Sequence, residues 1–232
     1  FTLWAVLALS IPAQAVEWTI RDLGTFGGDF SVATGINELG QVIGYAQTTP
    51  TIIWTGELVG FAQGFISAPD GGALTGLGQL GETGSMALGV NDAGRVVGTS
   101  ALFGDTPAGF ITGPSGGGLA PLGGSEASAG FKVPTDINNL GQVVGSDGAA
   151  VYPFITGPNG AGFVAIGAGE PAPVPYGEPV GINDRGQVAM SAGYLWTQSG
   201  GAQALGADVF EVTDINEAGQ VVGRTLANVG FI

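Results

Sequence analysis

The sequence that predicts the architecture is Gly35-Ile36-Asn37-Glu38-Leu39-Gly40-Gln41-Val42-Ile43-Gly44, near the beginning of the chain. Two short β-prone segments flank an Asn-x-x-Gly core. An Asn side chain hydrogen-bonds its own downstream backbone, and glycine accepts the positive φ that closes a tight turn. The segment therefore predicts a β-hairpin whose turn begins at Asn37 and ends at Gly40.

The same hairpin pattern recurs four more times along the chain. The Asn–Gly pairs that we interpret as turn residues are Asn37 with Gly40, Asn91 with Gly94, Asn138 with Gly141, Asn183 with Gly186, and Asn216 with Gly219. Successive Asn residues are 54, 47, 45 and 33 positions apart. A repeat of this length predicts an array of related supersecondary units.

A second motif lies between the Asn-x-x-Gly copies and predicts another hairpin. Its first version is Gly64-Phe65-Ile66-Ser67-Ala68-Pro69-Asp70-Gly71, which leads into Leu77-Gly78. Further versions begin at Gly109 and Pro153, a degenerate one spans 193–196, and a last one starts at Gly230. A strand, a Pro-x-Gly turn and a second strand give each unit about four strands, the size of one propeller blade.

One such unit cannot bury its apolar face alone, so the units must pack against one another. We expect an all-β repeat fold of four-stranded antiparallel units, a β-propeller of about five blades in preference to a linear solenoid. Residues 17–24 resemble an unpaired outer strand, and 230–232 resemble an unpaired inner one. Together these two segments could complete one blade and close a ring of five, although the ragged ends equally fit a fragment of a longer protein.

Composition excludes several classes of function. The chain has five Lys and Arg and nineteen Asp and Glu, a formal net charge of −14, which argues against nucleic acid and anionic membrane surfaces as partners. The chain has no Cys and no His, which removes thiolate nucleophiles, Ser-His-Asp triads and the usual zinc and iron–sulfur sites. We predict no cofactor and no metal.

The first fifteen residues predict export. An apolar run from Leu3 to Pro12 precedes Ala13-Gln14-Ala15, a small-x-small cleavage pattern. We interpret 1–15 as a truncated secretory signal peptide, too short to span a bilayer, and 16–232 as a single β-repeat domain. A first buried strand or a retained anchor is the alternative. The predicted location is extracellular or in the cell envelope.

The combined pattern resembles the HAF-repeat family of predicted extracellular bacterial proteins. The resemblance rests on Ser-x-Ala-x-x-Ile-Asn-x-x-Gly-Gln-Val-Val-Gly, here beginning at Ser31, and on Leu23-Gly24-Thr25-Phe26-Gly27-Gly28, and it covers essentially all of 22–232. It implies secretion and no particular activity. The His of the family's His-Ala-Phe tripeptide is absent here, as in Gln63-Gly64-Phe65, so any role that depends on that His is absent too.

The residue after each turn Asn is acidic in four of five copies: Glu38, Asp92, Asp184 and Glu217, with Asn139 in the third. Equivalent turns of a propeller lie on one face, so these side chains would form a rim that could attract cations or a basic partner. Exposed turns also favour acidic residues for local reasons alone. No packed run of oxygen ligands predicts a calcium site.

Two hypotheses for function remain open. The first is a non-catalytic binding scaffold whose ligand is a glycan or a protein at the propeller face. The second is a carbohydrate-active hydrolase that uses paired carboxylates, with Asp29, Asp136 and Asp214 as candidate acids. Trp18, Trp54 and Trp196 could stack on sugars or belong to the core, and Trp54 is the best candidate for an exposed aromatic.

Overall fold

The computed structural model describes residues 19–52, 58–81, 84–101, 107–123, 132–147, 152–167 and 176–232. The predicted signal peptide 1–15, Trp18 and Trp54 lie outside these residues. Within them the predicted all-β fold is confirmed: the strands form five antiparallel sheets, which we call units 1 to 5, and one small two-stranded hairpin. No helix in the described part of the chain has the length and apolar character needed to cross a bilayer.

The units follow one another along the chain, and their sheets contain neighbouring strands. Unit 1 and its inserted hairpin contain β1 (Gly27–Ile36), β2 (Val42–Thr48), β3 (Thr51–Ile52), β4 (Leu58–Val59), β5 (Ala62–Ser67) and β6 (Leu74–Gly76). Unit 2 contains β7 (Ser85–Val90), β8 (Val96–Ala101), β9 (Pro107–Ile111) and β10 (Ala120–Pro121). Unit 3 contains β11 (Lys132–Ile137), β12 (Val143–Asp147), β13 (Tyr152–Thr156) and β14 (Phe163–Ala165).

The last two units differ in strand number. Unit 4 contains β15 (Pro179–Ile182), β16 (Val188–Met190), β17 (Tyr194–Thr197) and β18 (Gly201–Ala204). Unit 5 contains β19 (Val209–Ile215), β20 (Val221–Thr225) and β21 (Gly230–Phe231). In units 1 to 4 the sheet order is that of the chain, apart from the inserted β3–β4 hairpin, whereas the described part of unit 5 has three strands.

An Asn-x-x-Gly turn joins the first two strands of every unit. In unit 1 the Gly40 N–H donates to the Asn37 carbonyl at 2.9 Å, and Gly40 has a φ of +68°. The Asn37 Oδ1 accepts the backbone N–H groups of Leu39 and Gln41 at 3.1 and 2.9 Å. A side chain other than glycine would be strained at this φ, and another residue than Asn or Asp would leave those donors unpaired.

The first strand of each unit contains a β-bulge. In β7 the pairing register shifts between Ala87 and Gly89. Burial nevertheless alternates along β7: Ser85, Ala87 and Gly89 are buried, whereas Met86 is 38% exposed. The face of this strand that packs into the core between units 1 and 2 is therefore the one with the small side chains, such as Ala87.

The apolar core lies between units rather than within them. Each of four clusters combines residues of two consecutive units, so one unit supplies only half of each core. Between units 1 and 2, for example, Ile43 and Leu77 of unit 1 pack with Val96 and Phe110 of unit 2. Removal of a neighbour would return this surface to water, so the units stabilise one another.

Residues 19–24, the described part of the segment 17–24 that we expected to be an outer strand, contain no strand. They nevertheless lie against unit 1, where Arg21 Nη1 donates to the Asp70 carbonyl at 2.6 Å. Leu23 is partly buried beside Gly71.

Candidate functional site

The side chains of the turn Asn residues connect consecutive units. In units 1 to 4, the Nδ2 of the turn Asn donates to the backbone carbonyl of the turn Asn in the next unit. The four bonds join Asn37 to Asn91, Asn91 to Asn138 and Asn138 to Asn183, each at 3.0 Å, and Asn183 to Asn216 at 3.2 Å. We call this series the Asn ladder.

Burial makes the inner members of the Asn ladder important for stability. Asn91, Asn138 and Asn183 are 4%, 3% and 1% exposed. The second N–H of the Asn138 amide donates to Gln142 Oε1 at 2.9 Å, and its Oδ1 accepts the Gln142 backbone N–H at 2.9 Å. Each side chain thus closes its own turn through oxygen and binds the next turn through nitrogen, so the buried amide is satisfied.

A parallel series, the acid ladder, involves the residue after each Asn. Its backbone N–H donates to the side-chain oxygen of the equivalent residue in the next unit. These bonds run from Glu38 to Asp92 at 3.0 Å, from Asp92 to Asn139 at 2.8 Å, from Asn139 to Asp184 at 2.7 Å, and from Asp184 to Glu217 at 3.0 Å. The structure therefore brings all four predicted rim carboxylates into one series and gives three of them a backbone donor.

Asn139 is the one neutral member of the acid ladder, and its position has a physical reason. Its Nδ2 donates to Asp92 Oδ2 at 2.9 Å and to Asp184 Oδ2 at 3.2 Å. An amide between two carboxylates relieves the repulsion that a third carboxylate would add. The described residues contain no group of three His, Cys, Asp or Glu side chains that could hold a metal ion. The carboxylates of the rim provide negative potential and hydrogen-bond acceptors.

One cavity of about 170 Å³ is lined by residues of all five units, at their turns or just before them. Its lining includes the Asn ladder residues of units 1 to 3 and the acid-ladder residues Glu38, Asp92, Asn139 and Glu217. In units 1 to 4 the apolar residue that precedes the turn Asn also contributes, and Ile182 is the one contribution of unit 4. The units thus share a space whose lining is mostly polar.

Asp136 is a buried carboxyl group whose ionisation is perturbed. Burial raises the pKa of Asp136 to about 6, although the backbone N–H groups of Ile182 and Ile137 donate to its carboxylate at 3.0 and 2.8 Å. The negative charges of Asp214 and Glu217 raise this pKa further. Asp214 occupies the same position in unit 5 and is exposed.

Not every sequence candidate joins this site. Asp29 is exposed on β1, and its backbone N–H donates to Gln47 Oε1 at 2.8 Å, away from the turns. Trp196 is only 7% exposed and belongs to the core between units 3 and 4, so stacking on a ligand is excluded for it.

Sequence reasoning missed two grooves that occupy equivalent places between consecutive units. The groove between units 1 and 2 has a volume of about 330 Å³, and the groove between units 3 and 4 has a volume of about 470 Å³. Each is lined by the Leu and Gln of one turn, the Ile of the same unit's third strand, and the acidic residue of the next turn. Leu39 and Leu140 are 54% and 55% exposed at the groove edges.

The Leu residues at the third turn position were the available signal for these grooves. Units 1 and 3 have Leu39 and Leu140, while the other turns have Ala93, Arg185 and Ala218. Turn formation does not require a large apolar side chain at this exposed position. Such a side chain therefore suggests a surface that contacts a ligand or partner.

No family model matches the chain, and no curated protein matches it either. The resemblance to HAF-repeat proteins therefore stays a prediction.

Proposed function

We propose that the chain is a non-catalytic binding scaffold that acts outside the cell or in the cell envelope, with its units arranged around one axis as the blades of a β-propeller. The observation that carries the proposal is the pair of ladders. The polar residues that recur in every unit are used to join one unit to the next, which is a structural role. The cavity to which all five units contribute supports the radial arrangement over a linear stack.

The ligand-binding surface in this proposal is the turn-bearing face with its grooves. An exposed Leu, a Gln and a carboxylate, as in the set Leu39, Gln41 and Asp92, offer an apolar contact beside polar groups. That combination suits the sugar faces and hydroxyl groups of a glycan, or an apolar side chain beside a basic one on a protein. The net charge of −14 favours a ligand that is neutral or basic.

A glycan array and a panel of basic proteins, probed with the purified chain 16–232, would test this proposal. The double variant Leu39→Ser/Leu140→Ser should weaken binding at each groove about fivefold, because one lost apolar contact contributes roughly 1 kcal/mol. Val164→Ser, at a 43% exposed position on β14, is the matched control and should bind as the parent does. Unchanged affinity in the double variant would place the ligand elsewhere and contradict the groove assignment.

Location is tested separately. An antibody against the chain should detect it in the culture medium or envelope fraction of its source cells. A protein found only with cytoplasmic markers would contradict the export part of the proposal.

A second candidate function, a carbohydrate-active hydrolase, is favoured by one observation. The pKa of Asp136 is raised to about 6, in part by the charge of Asp214, and glycoside hydrolysis uses a pair of carboxyl groups of which one has a raised pKa. A glycosidase screen decides between the two. Turnover lost on both Asp136→Asn and Asp214→Asn would support the hydrolase, whereas saturable binding without turnover supports the scaffold.

A further inference from the structure

Units 1 to 3 each contain a Pro-x-Gly turn that packs onto the Asn-x-x-Gly turn of the same unit. The three Pro-x-Gly turns are Pro69–Gly71, Pro114–Gly116 and Pro158–Gly160. The glycine of each donates its backbone N–H to the carbonyl of the glycine that ends the Asn-x-x-Gly turn. These bonds join Gly71 to Gly40 at 3.0 Å, Gly116 to Gly94 at 2.8 Å and Gly160 to Gly141 at 3.0 Å.

The equivalent connection in unit 4 is too short to form this turn. In unit 3 six residues, 157–162, connect the paired ends of β13 and β14. In unit 4 only the three residues 198–200 connect the paired ends of β17 and β18. As a result, no donor among the described residues reaches the carbonyl of Gly186, the glycine that ends the Asn-x-x-Gly turn of unit 4.

The groove between units 3 and 4 lies over Gly186, where the other units place the backbone of their Pro-x-Gly turns. A Cβ added to Gly141 would lie 2.9 Å from the Asn159 backbone nitrogen, and Gly40 and Gly94 are in equally close contact with their turns. A Cβ added to Gly186 would meet no atom nearer than Gln142 Oε1 at 3.7 Å. Gly186 accordingly lines the groove, whose volume of about 470 Å³ exceeds the 330 Å³ between units 1 and 2.

The floor of this groove resembles the surface on which the Pro-x-Gly turns pack. A Cβ added to Gly160 would lie 3.1 Å from Ile111 Cδ1 of the preceding unit, so the turn glycine lies directly on that isoleucine. The corresponding isoleucine for unit 4 is Ile155, which lines the groove. Trp196 shares a core cluster with Ile155, so the apolar core beneath is closed. The backbone contacts that the missing turn would make have no such replacement.

We infer that the groove between units 3 and 4 binds a Pro-x-Gly turn of another polypeptide. This rests on the proposed binding function and specifies its ligand. The turns within the chain define the chemistry: the middle residue has a φ of +54° to +59°, and the glycine donates its N–H and has no side chain that would collide with an isoleucine. Because the occupants of the equivalent places are polypeptide, a protein ligand is favoured over a glycan. A second copy of this chain would have to break the bonds of its own turns to supply one.

A loop graft tests without any ligand whether the groove accepts such a turn. Residues 198–200 are replaced by residues 157–162 of unit 3, and a control protein receives six Gly and Ser residues at the same place. The graft should unfold at a higher urea concentration than the control, because its glycine N–H pairs with the Gly186 carbonyl while the Gly-Ser loop makes no defined contact. Equal midpoints would overturn the inference.

A cyclic peptide with the sequence of residues 156–163 tests binding of a separate chain. Added to the ¹⁵N-labelled chain 16–232, it should shift the amide resonances of Gly186 and Gln187, with a dissociation constant of about 1 mM or lower. The same peptide with Gly160→Val should bind at least about tenfold more weakly, because a β-branched residue is strained at positive φ. The grafted protein should not bind the unaltered peptide, since its own turn occupies the groove.

Two outcomes of these binding measurements would overturn the inference and leave the proposed function intact. In the first, the peptide does not bind the parent chain or binds the grafted protein equally well. In the second, a glycan from the array binds the parent and not the graft, which would assign the groove to a sugar. The absence of any ligand in both the glycan array and the protein panel would instead contradict the proposed function, and the graft comparison does not depend on that search.

Discussion

At the scale of single residues, the turn Asn does more than form a turn. Its Oδ1 accepts N–H groups of its own turn, as any turn-forming Asn would, but its Nδ2 binds the next unit. Aspartate could replace the first role and not the second, because an ionised carboxylate has no donor. The invariance of Asn across five copies of this chain, at positions where Asp is an equally good turn former, thus has a physical explanation.

Replacement of Asn138 by alanine should lower the free energy of unfolding by about 2–4 kcal/mol, since it leaves buried backbone groups of two turns unpaired. Urea denaturation measures the loss. Gln198→Ala, at an exposed position of unit 4, is the control and should change stability by less than about 0.5 kcal/mol. An equally small loss at Asn138 would show that water replaces the ladder bonds without cost.

Asp136 should make the folded protein less stable as pH rises, whereas an acid with a lowered pKa makes the folded protein more stable as pH rises. Because its pKa is about 6 in the folded protein and near 4 when unfolded, the folded state holds a proton that the unfolded chain has released between these values. Stability therefore falls as pH rises through about 4 to 6, by up to about 3 kcal/mol from this group.

Urea denaturation of the parent and of Asp136→Asn at pH 4 and pH 7 checks this expectation. The variant should lose less stability than the parent between the two pH values. The same difference in both proteins would mean that Asp136 ionises normally when folded.

At the scale of elements, the glycine at the end of each Gln-Val-Val-Gly motif is required because the backbone of the neighbouring strand lies too close for a side chain. A Cβ at Gly145 would lie 2.1 Å from the Val133 carbonyl oxygen on the neighbouring strand, and Gly44 and Gly98 are in the same position. Glycine allows this close approach because it has no Cβ. Unit 4 has Met190 at this position, and its inner strand β15 is shorter, beginning at the paired Pro179.

Gly145→Ala should therefore destabilise the protein by roughly 2 kcal/mol or more, because backbone must move to admit the methyl group. Gly206→Ala is a suitable control, since its nearest neighbour would be a Val209 methyl at 3.8 Å and its φ is not positive. Thermal unfolding followed by circular dichroism compares the two. If Gly145→Ala unfolds at the parent's temperature, the close approach is not a constraint in solution.

Many of the turns and strands could be predicted from sequence, because their formation depends on the residue types within a few positions. The Asn37–Gly40 turn and the strands around it follow from residue type alone. The Asn ladder could not be predicted, since it depends on which turn lies beside Asn37, and that neighbour is 54 residues away. The burial of Ala87 in place of Met86 could not be predicted either, because it depends on which face of β7 packs against unit 1.

At the scale of the whole molecule, cores shared between units make folding cooperative along the array. A peptide of unit 3 alone, residues 132–167, would expose Val143 and Val144 on opposite sides, both of which are fully buried in the chain. We expect this peptide to be unfolded by circular dichroism and to show no thermal transition. A cooperative transition in the isolated peptide would contradict the conclusion that a unit needs its neighbours.

Each internal junction uses the same ladder bonds and the same kind of apolar contact, while the connections between strands differ in length. Gene duplication or loss of one whole unit would therefore leave the chemistry of the remaining junctions unchanged. Insertions in the connections would also leave the junctions unchanged, as the spacings of 54 and 33 residues between turn Asn residues illustrate. Evolution can thus alter the number of repeats and the surface loops independently of the scaffold that supports them.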